Sequence, residues 1–189
     1  ASEVALDAIE AATRAAPWAD HRHTLQHCQM AGEDQFRRMA ALGVAVNLFA
    51  NHLWYFGDPH HDLTVGPDRA ARMNACRSAL DHGVTLAIHS DAPVTPMGPL
   101  HVAWCAVNRV TPKGRVLGPE QRLTVAEALR AVTLGPAETL KLDAEIGSIT
   151  PGKKADFAVL GEDPTAVAPE ALRDVPVLGT VSGGRVFEA

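Results

Sequence analysis

The chain has 189 residues, 47% hydrophobic and 21% charged, with 17 Lys and Arg against 22 Asp and Glu for a net charge of −5. That apolar content excludes an intrinsically disordered chain, and the lack of a basic cluster argues against a nucleic-acid partner. No apolar run reaches the roughly 18 residues that span a bilayer, and no basic-then-apolar leader is visible, so a soluble, cytoplasmic protein without a membrane partner is expected.

The elements follow in chain order. Residues 3–15 place Val4, Leu6, Ile9 and Ala12 on or near one helical stripe, which Pro17 ends. Residues 23–28 read as a short strand, and residues 33–42 as a helix stopped by Gly43. Residues 44–49 form a second apolar strand. After a loop, residues 67–82 read as one helix with Pro67 at its start and Gly83 just past its end. Residues 84–89 are a third strand, and residues 99–110 a further helix. Strands alternating with helices predict an α/β class with a parallel sheet, its strands buried on both faces.

From Leu117 the pattern changes. Thr124 and Glu127 have the spacing of a capping box that opens a helix ending near Gly135, with a short helix at 136–140 after it. Glycine-bounded runs at 157–160, 177–181 and 185–187 then predict short strands of a small β appendage. The three cysteines, Cys28, Cys76 and Cys105, are odd in number, widely spaced and free of CxxC pairs, which suits reduced thiols rather than a disulfide framework.

Functional residues of parallel α/β folds gather at the carboxyl ends of the strands. Here those ends carry His27, then Asn51 and His52, then His89, Ser90 and Asp91. Imidazole and carboxylate are ligands for a zinc-type ion. Three separate strand ends that all present such groups point to a metal site.

These stretches, HRHTLQHCQ, ALGVAVNLFANHLWYFGD and LDHGVTLAIHSDAPVTP, resemble the amidohydrolase superfamily, in the family 3 branch that includes N-substituted formamide deformylases. The helix at 123–135 and the segment IGSITPGKKADFAVL extend the resemblance over nearly the whole chain. It implies a metal-dependent hydrolase on a (β/α)8 TIM barrel with a small β-sandwich. Residues 1–145 would be barrel, about strands six to eight, and residues 146–189 part of the sandwich. By the same resemblance His27 is the metal-ligand histidine ending strand six. Asp91 is the strand-eight aspartate, both metal ligand and catalytic proton shuttle, and His52 is a substrate-side or transition-state contact. The cofactor implied is a divalent metal, zinc by type, with one or two ions in the complete enzyme. The substrate implied is a small amide or formamide, cleaved at a non-peptide C–N bond.

Two residues depart from the family pattern: Gln26 stands where Glu is usual, and His89 where Gly is usual. The His-x-His pair of strand one, the bridging residue of strand four and the histidine of strand five have no counterpart, since His21–Arg22–His23 has that spacing but precedes the strand-six position. A barrel of this kind takes about 250 residues. The expectation is therefore the C-terminal part of a larger enzyme, inactive as an isolated chain and dependent on a missing N-terminal segment.

Each residue also has a plainer reading. His27 could be a half-buried histidine satisfied by a carbonyl, Asp91 a turn residue before Pro93, and His52 one of a group with Trp54, Tyr55 and Phe56 that covers the barrel mouth. His60, His61 and His101 read as surface or loop positions. The alternative functions are a non-catalytic homo-oligomer assembled through exposed sheet edges, and an open α/β domain that binds a small ligand.

Overall fold

Three short strands, β1 (Thr24–His27) and the more aliphatic β2 (Ala45–Leu48) and β3 (Leu86–Ile88), pair in parallel in the order β1-β2-β3. The computed structural model describes residues 1–189. Its register sets Leu25 beside Val46 and His27 beside Leu48, and continues from Val46 to Leu86 and from Leu48 to Ile88. Val46, Leu48, Leu86 and Ile88 enter the main hydrophobic core, with Leu25 packed against it. The alternate positions hold Gln26 and Asn47, whose side chains hydrogen-bond at 2.8 Å. Burial on both faces therefore holds for β2 and β3 but not for β1, where Gln26 is exposed.

Helices cover the aliphatic face. α1 (Ser2–Ala15) and α2 (Glu33–Leu42) bury Leu6, Phe36 and Met39 in the same core, and Gly43 ends α2 in the left-handed conformation that suits a residue without Cβ. α6 (Pro99–Asn108) is buried from Val102 onward. Thr124 and Glu127 form the reciprocal cap that opens α7 (Val125–Val132), and Arg77 pairs with the same carboxylate. α8 (Leu134–Thr139) crosses β3 so closely that a Cβ on Gly135 would lie 2.2 Å from the Leu86 carbonyl oxygen.

Two segments differ from the sequence expectation. The loop after β2 is α3 (His52–Pro59), which continues into a π-helical turn, His60–Thr64. The single helix expected over 67–82 is two, α4 (Pro67–Arg72) and α5 (Cys76–Asp81), interrupted at Asn74 with φ of 50°. The break has a tertiary cause. Arg109, with no exposed surface, donates to the carbonyls of Ala71, Met73 and Asn74 as well as Leu117. Those carbonyls face the guanidinium instead of continuing a helical ladder.

The three glycine-bounded runs form a second sheet: β4 (Phe157–Leu160), β5 (Val177–Ser182) and β6 (Arg185–Glu188) are antiparallel in that order. A 3-10 turn, Pro169–Asp174, fastens the segment between β4 and β5 to the helical layer. Leu172 is fully buried there, Trp104 donates to the Glu170 carbonyl at 2.7 Å, and the Arg173 guanidinium lies 4.0 Å above the Trp104 ring. No helix is long and apolar enough to cross a membrane.

Candidate functional site

The carboxyl ends of β1 and β3 both finish in left-handed residues that carry large side chains. His27 has φ of 63°, Cys28 of 45° and Asp91 of 56°. Such conformations cost non-glycine residues free energy and persist where the surroundings enforce them. Here they bring the His27 imidazole and the Asp91 carboxylate together across the width of the sheet, with Nε2 and Oδ1 3.8 Å apart. Both remain partly accessible, at 43% and 33% side-chain exposure. His27 also lines a groove of about 420 Å³ beside the unpaired edge of β1, together with Leu25, Cys28, Gln29 and Met30.

His52 opens α3 at the end of β2. Asn51, immediately before it, donates to Thr95 Oγ1 at 2.8 Å, and Thr95 in turn donates to the Ser90 carbonyl. That buried relay ties the loop bearing Asp91 to the start of α3. Phe49 fills the space between the histidines, with its ring 5.9 Å from His27, 5.3 Å from His89 and 4.9 Å from His52. Burial, aided by the neighbouring His60 and His27, pushes the His52 pKa down to about 4, so this ring is neutral near pH 7. His89 is also held below the usual histidine range, first by burial and then by His27; its Nδ1 accepts from the Asp91 backbone N–H at 3.1 Å.

Two positions take a different place from the one expected, and a third had no expected place. His60 lies in the π-helical turn with its Nε2 3.4 Å from His52 Nε2. His101 is on α6 against Trp54, Tyr55 and Trp104, and burial lowers its pKa. Gln29, to which sequence reasoning gave no role, sits with its amide nitrogen against the His52 ring, 2.9 Å from Nδ1 and 3.2 Å from Nε2. Only its position two residues beyond a strand-end histidine could have singled it out. Cys28 is half-buried, and burial raises its thiol pKa, so it does not behave as an activated nucleophile. His21 is occupied by the Leu42 carbonyl and Arg22 by Asp20 and Asp143, away from the site.

A metal can be tested against the donors. Two ligands about 2.1 Å from one zinc at a tetrahedral angle lie about 3.4 Å apart. The 3.8 Å between His27 Nε2 and Asp91 Oδ1 is close to that, and an imidazole with a carboxylate is a suitable donor pair. The pair fits as part of a ligand set. No group of three or more His, Cys, Asp or Glu side chains able to hold an ion is present, so this chain does not complete the set.

The sequence profile of an amidohydrolase family matches residues 1–187. N-substituted formamide deformylase of Arthrobacter pascens is 37% identical over 186 residues, which cover 97% of this chain and 34% of that protein. A crystal structure of an uncharacterized metal-dependent hydrolase from Pyrococcus horikoshii superposes with a TM-score of 0.72 at 26% identity, covering 88% of this chain and 33% of the other. An adenosine deaminase from Xanthomonas campestris with bound zinc shares the fold, with a TM-score of 0.63 at 21% identity over 86% of this chain and 36% of that one. The chain spans about a third of the length of the curated relatives that it matches along its whole length.

Proposed function

The chain belongs to the amidohydrolase family, and from that premise we propose that it supplies part of a metal-dependent hydrolase site for a non-peptide C–N bond of a small amide or formamide. The observation that carries this reading is the convergence of His27 and Asp91 from the two outer strands of one sheet, each on a strained left-handed residue. The name of the Arthrobacter pascens relative supports a formamide as substrate.

In this reading β1, β2 and β3 correspond to strands six to eight of a (β/α)8 barrel. His27 and Asp91 would hold the ion through imidazole and carboxylate. The ion, zinc by its donor set, supplies when bound a polarised carbonyl and a water of lowered pKa. The chain's own residues do the rest. One Asp91 oxygen accepts a proton from the attacking water as the C–O bond forms, then returns it to the leaving nitrogen as the C–N bond breaks. His52, neutral and buried, contacts the substrate from the β2 side. Phe49 and Phe56, both against His52, limit its access to water.

A zinc site takes at least three protein ligands, and two are present here, so the 189 residues alone are expected to turn over no substrate. The test is a zinc titration of this chain followed through its histidine resonances, with an assay on N-substituted formamides alongside. Weak binding that perturbs His27, and that both His27→Ala and Asp91→Ala abolish, is the expected result. Zinc binding unchanged in both variants would sink the assignment, and turnover by the chain alone would overturn its inactivity.

The unpaired outer edges of β1 and β3 favour a second reading, a non-catalytic homo-oligomer joined through sheet edges. Self-association that Asp91→Asn leaves unchanged, in a chain that binds no zinc, would favour it.

A further inference from the structure

The Asp91 main chain is fixed from three directions. A trans peptide is planar and its C=O and N–H point opposite ways, so gripping both ends of one unit fixes its tilt. The Ser90–Asp91 peptide is gripped in that manner: its N–H donates to His89 Nδ1 at 3.1 Å, and its carbonyl accepts from the Thr95 hydroxyl. A backbone N–H can only donate, so His89 Nδ1 is the acceptor. Asn51, fully buried, donates to Thr95 Oγ1 at 2.8 Å, which leaves the Thr95 proton for the Ser90 carbonyl. On the far side of the residue, the Asp91 carbonyl accepts from the Val94 N–H at 2.7 Å. With both flanking peptide units tied, the left-handed φ of 56° is imposed on Asp91 by its neighbours. His89 is itself held in place. Its backbone N–H donates to the Leu48 carbonyl of β2 at 2.9 Å, and its ring stacks on Phe49 with centroids 5.3 Å apart. The same ring meets the His27 imidazole edge to face at 5.0 Å. One side chain thus touches both the backbone of Asp91 and the ring of His27.

We propose that His89 is a positioning residue that, with Thr95 opposite it, clamps the Ser90–Asp91 peptide through Nδ1, holds the Asp91 carboxylate toward His27 and so sets the spacing of that pair for an ion. This rests on the reading of His27 and Asp91 as a metal-binding pair. Without an acceptor at position 89 the Ser90–Asp91 peptide is free to turn. Asp91 then relaxes out of the left-handed region, and its carboxylate swings away from His27. The clamp acts on backbone, so neither His89 nor Thr95 needs to touch the ion or the substrate. Bulk alone at position 89 does not replace it, because the grip is one hydrogen bond to one atom.

The test is magnetic resonance of the nitrogen-15-labelled 189-residue chain at neutral pH, without metal and without turnover. A scalar coupling across the hydrogen bond should join the Asp91 amide nitrogen to His89 Nδ1, and the His27 ring should show a nuclear Overhauser contact with the Asp91 methylene. Asparagine places Oδ1 where histidine has Nδ1, so His89→Asn should keep that contact and the slow exchange of the Asp91 amide proton. His89→Leu, which fills the space without an acceptor, should speed that exchange about tenfold and weaken the contact. Thr95→Val should do the same from the carbonyl side, while Thr95→Ser should not. Absence of the coupling in the unsubstituted chain would overturn the proposal, and that readout requires no variant to fold. A contact that His89→Leu leaves unchanged would overturn it too, as would one that His89→Asn loses while the other amides keep their positions. None of these readouts involves zinc. A chain that shows the coupling and the contact but binds no zinc through His27 refutes the metal reading and leaves the clamp standing.

Discussion

The two sheets are built from similar residues and meet different fates. Val46 in the parallel sheet has no exposed surface, while Val186 in the antiparallel sheet is 71% exposed. β2 and β3 lie under helices that share their core. β4 to β6 leave Phe157, Val159, Leu178 and Phe187 exposed, with the sheet fastened to the rest of the chain through the turn at Leu172 and Arg173. Local β propensity is thus enough to form both sheets, but burial depends on whether another layer lies above the strand. The sheet that is covered is also the one whose strand ends hold strained, site-forming residues, because a packed scaffold can keep them in place.

The comparison is broken most severely by removing what supports the covered sheet. Arg109→Ala strips donors from four carbonyls, three of them in buried hydrogen bonds, and leaves a cavity, an expected loss of about 3–5 kcal/mol in urea unfolding. A loss below about 1 kcal/mol would show that the α4–α5 break does not depend on it. A matched pair sharpens the contrast: Val46→Ala is expected to cost about 2–3 kcal/mol by cavity formation. Val186→Ala should stay within about 0.5 kcal/mol, and equal losses would mean that β6 is covered in solution.

Acid should act on the covered region through its histidines. The folded pKa of His52 is about 4 and that of His101 is also lowered, against about 6.5 for an unperturbed histidine. The unfolded chain then takes up protons that the folded chain refuses. The stability associated with these rings is therefore present above pH 6.5 and is lost as the pH falls toward 4. Melting temperature measured across that range should fall with acidification, and His52→Gln should flatten the slope. An unchanged slope would place His52 in a more solvated setting than the structure gives it.

Much of this was legible beforehand. The strand cores at 45–48 and 86–88, the capping box at Thr124 and the three β-appendage strands follow from local apolar runs bounded by glycine, proline or a cap, and the short strand at 24–27 was also placed. His27, His52 and Asp91 could be named because strand ends in parallel α/β folds are where side chains converge. The helical character of residues 52–64 was hidden because Gly57 and Pro59 are poor helix formers. Gly57 sits where Leu117 and Thr111 approach within 2.9 Å of a Cβ position, a requirement that local sequence does not reveal.

The sequence by itself therefore determined what short-range chemistry controls: which runs become strands, where helices start and stop, and which ligand-type side chains end the strands. Tertiary structure decided the rest, since those outcomes depend on groups distant along the chain. Arg109 broke a helix by drawing the carbonyls of Ala71, Met73 and Asn74 to itself. Gln29, just beyond β1, and His60, in the π-helical turn, both came within 3.5 Å of the His52 ring. A backbone carbonyl or an imidazole is satisfied by whichever partner folding brings within about 3 Å, and sequence spacing does not encode that partner.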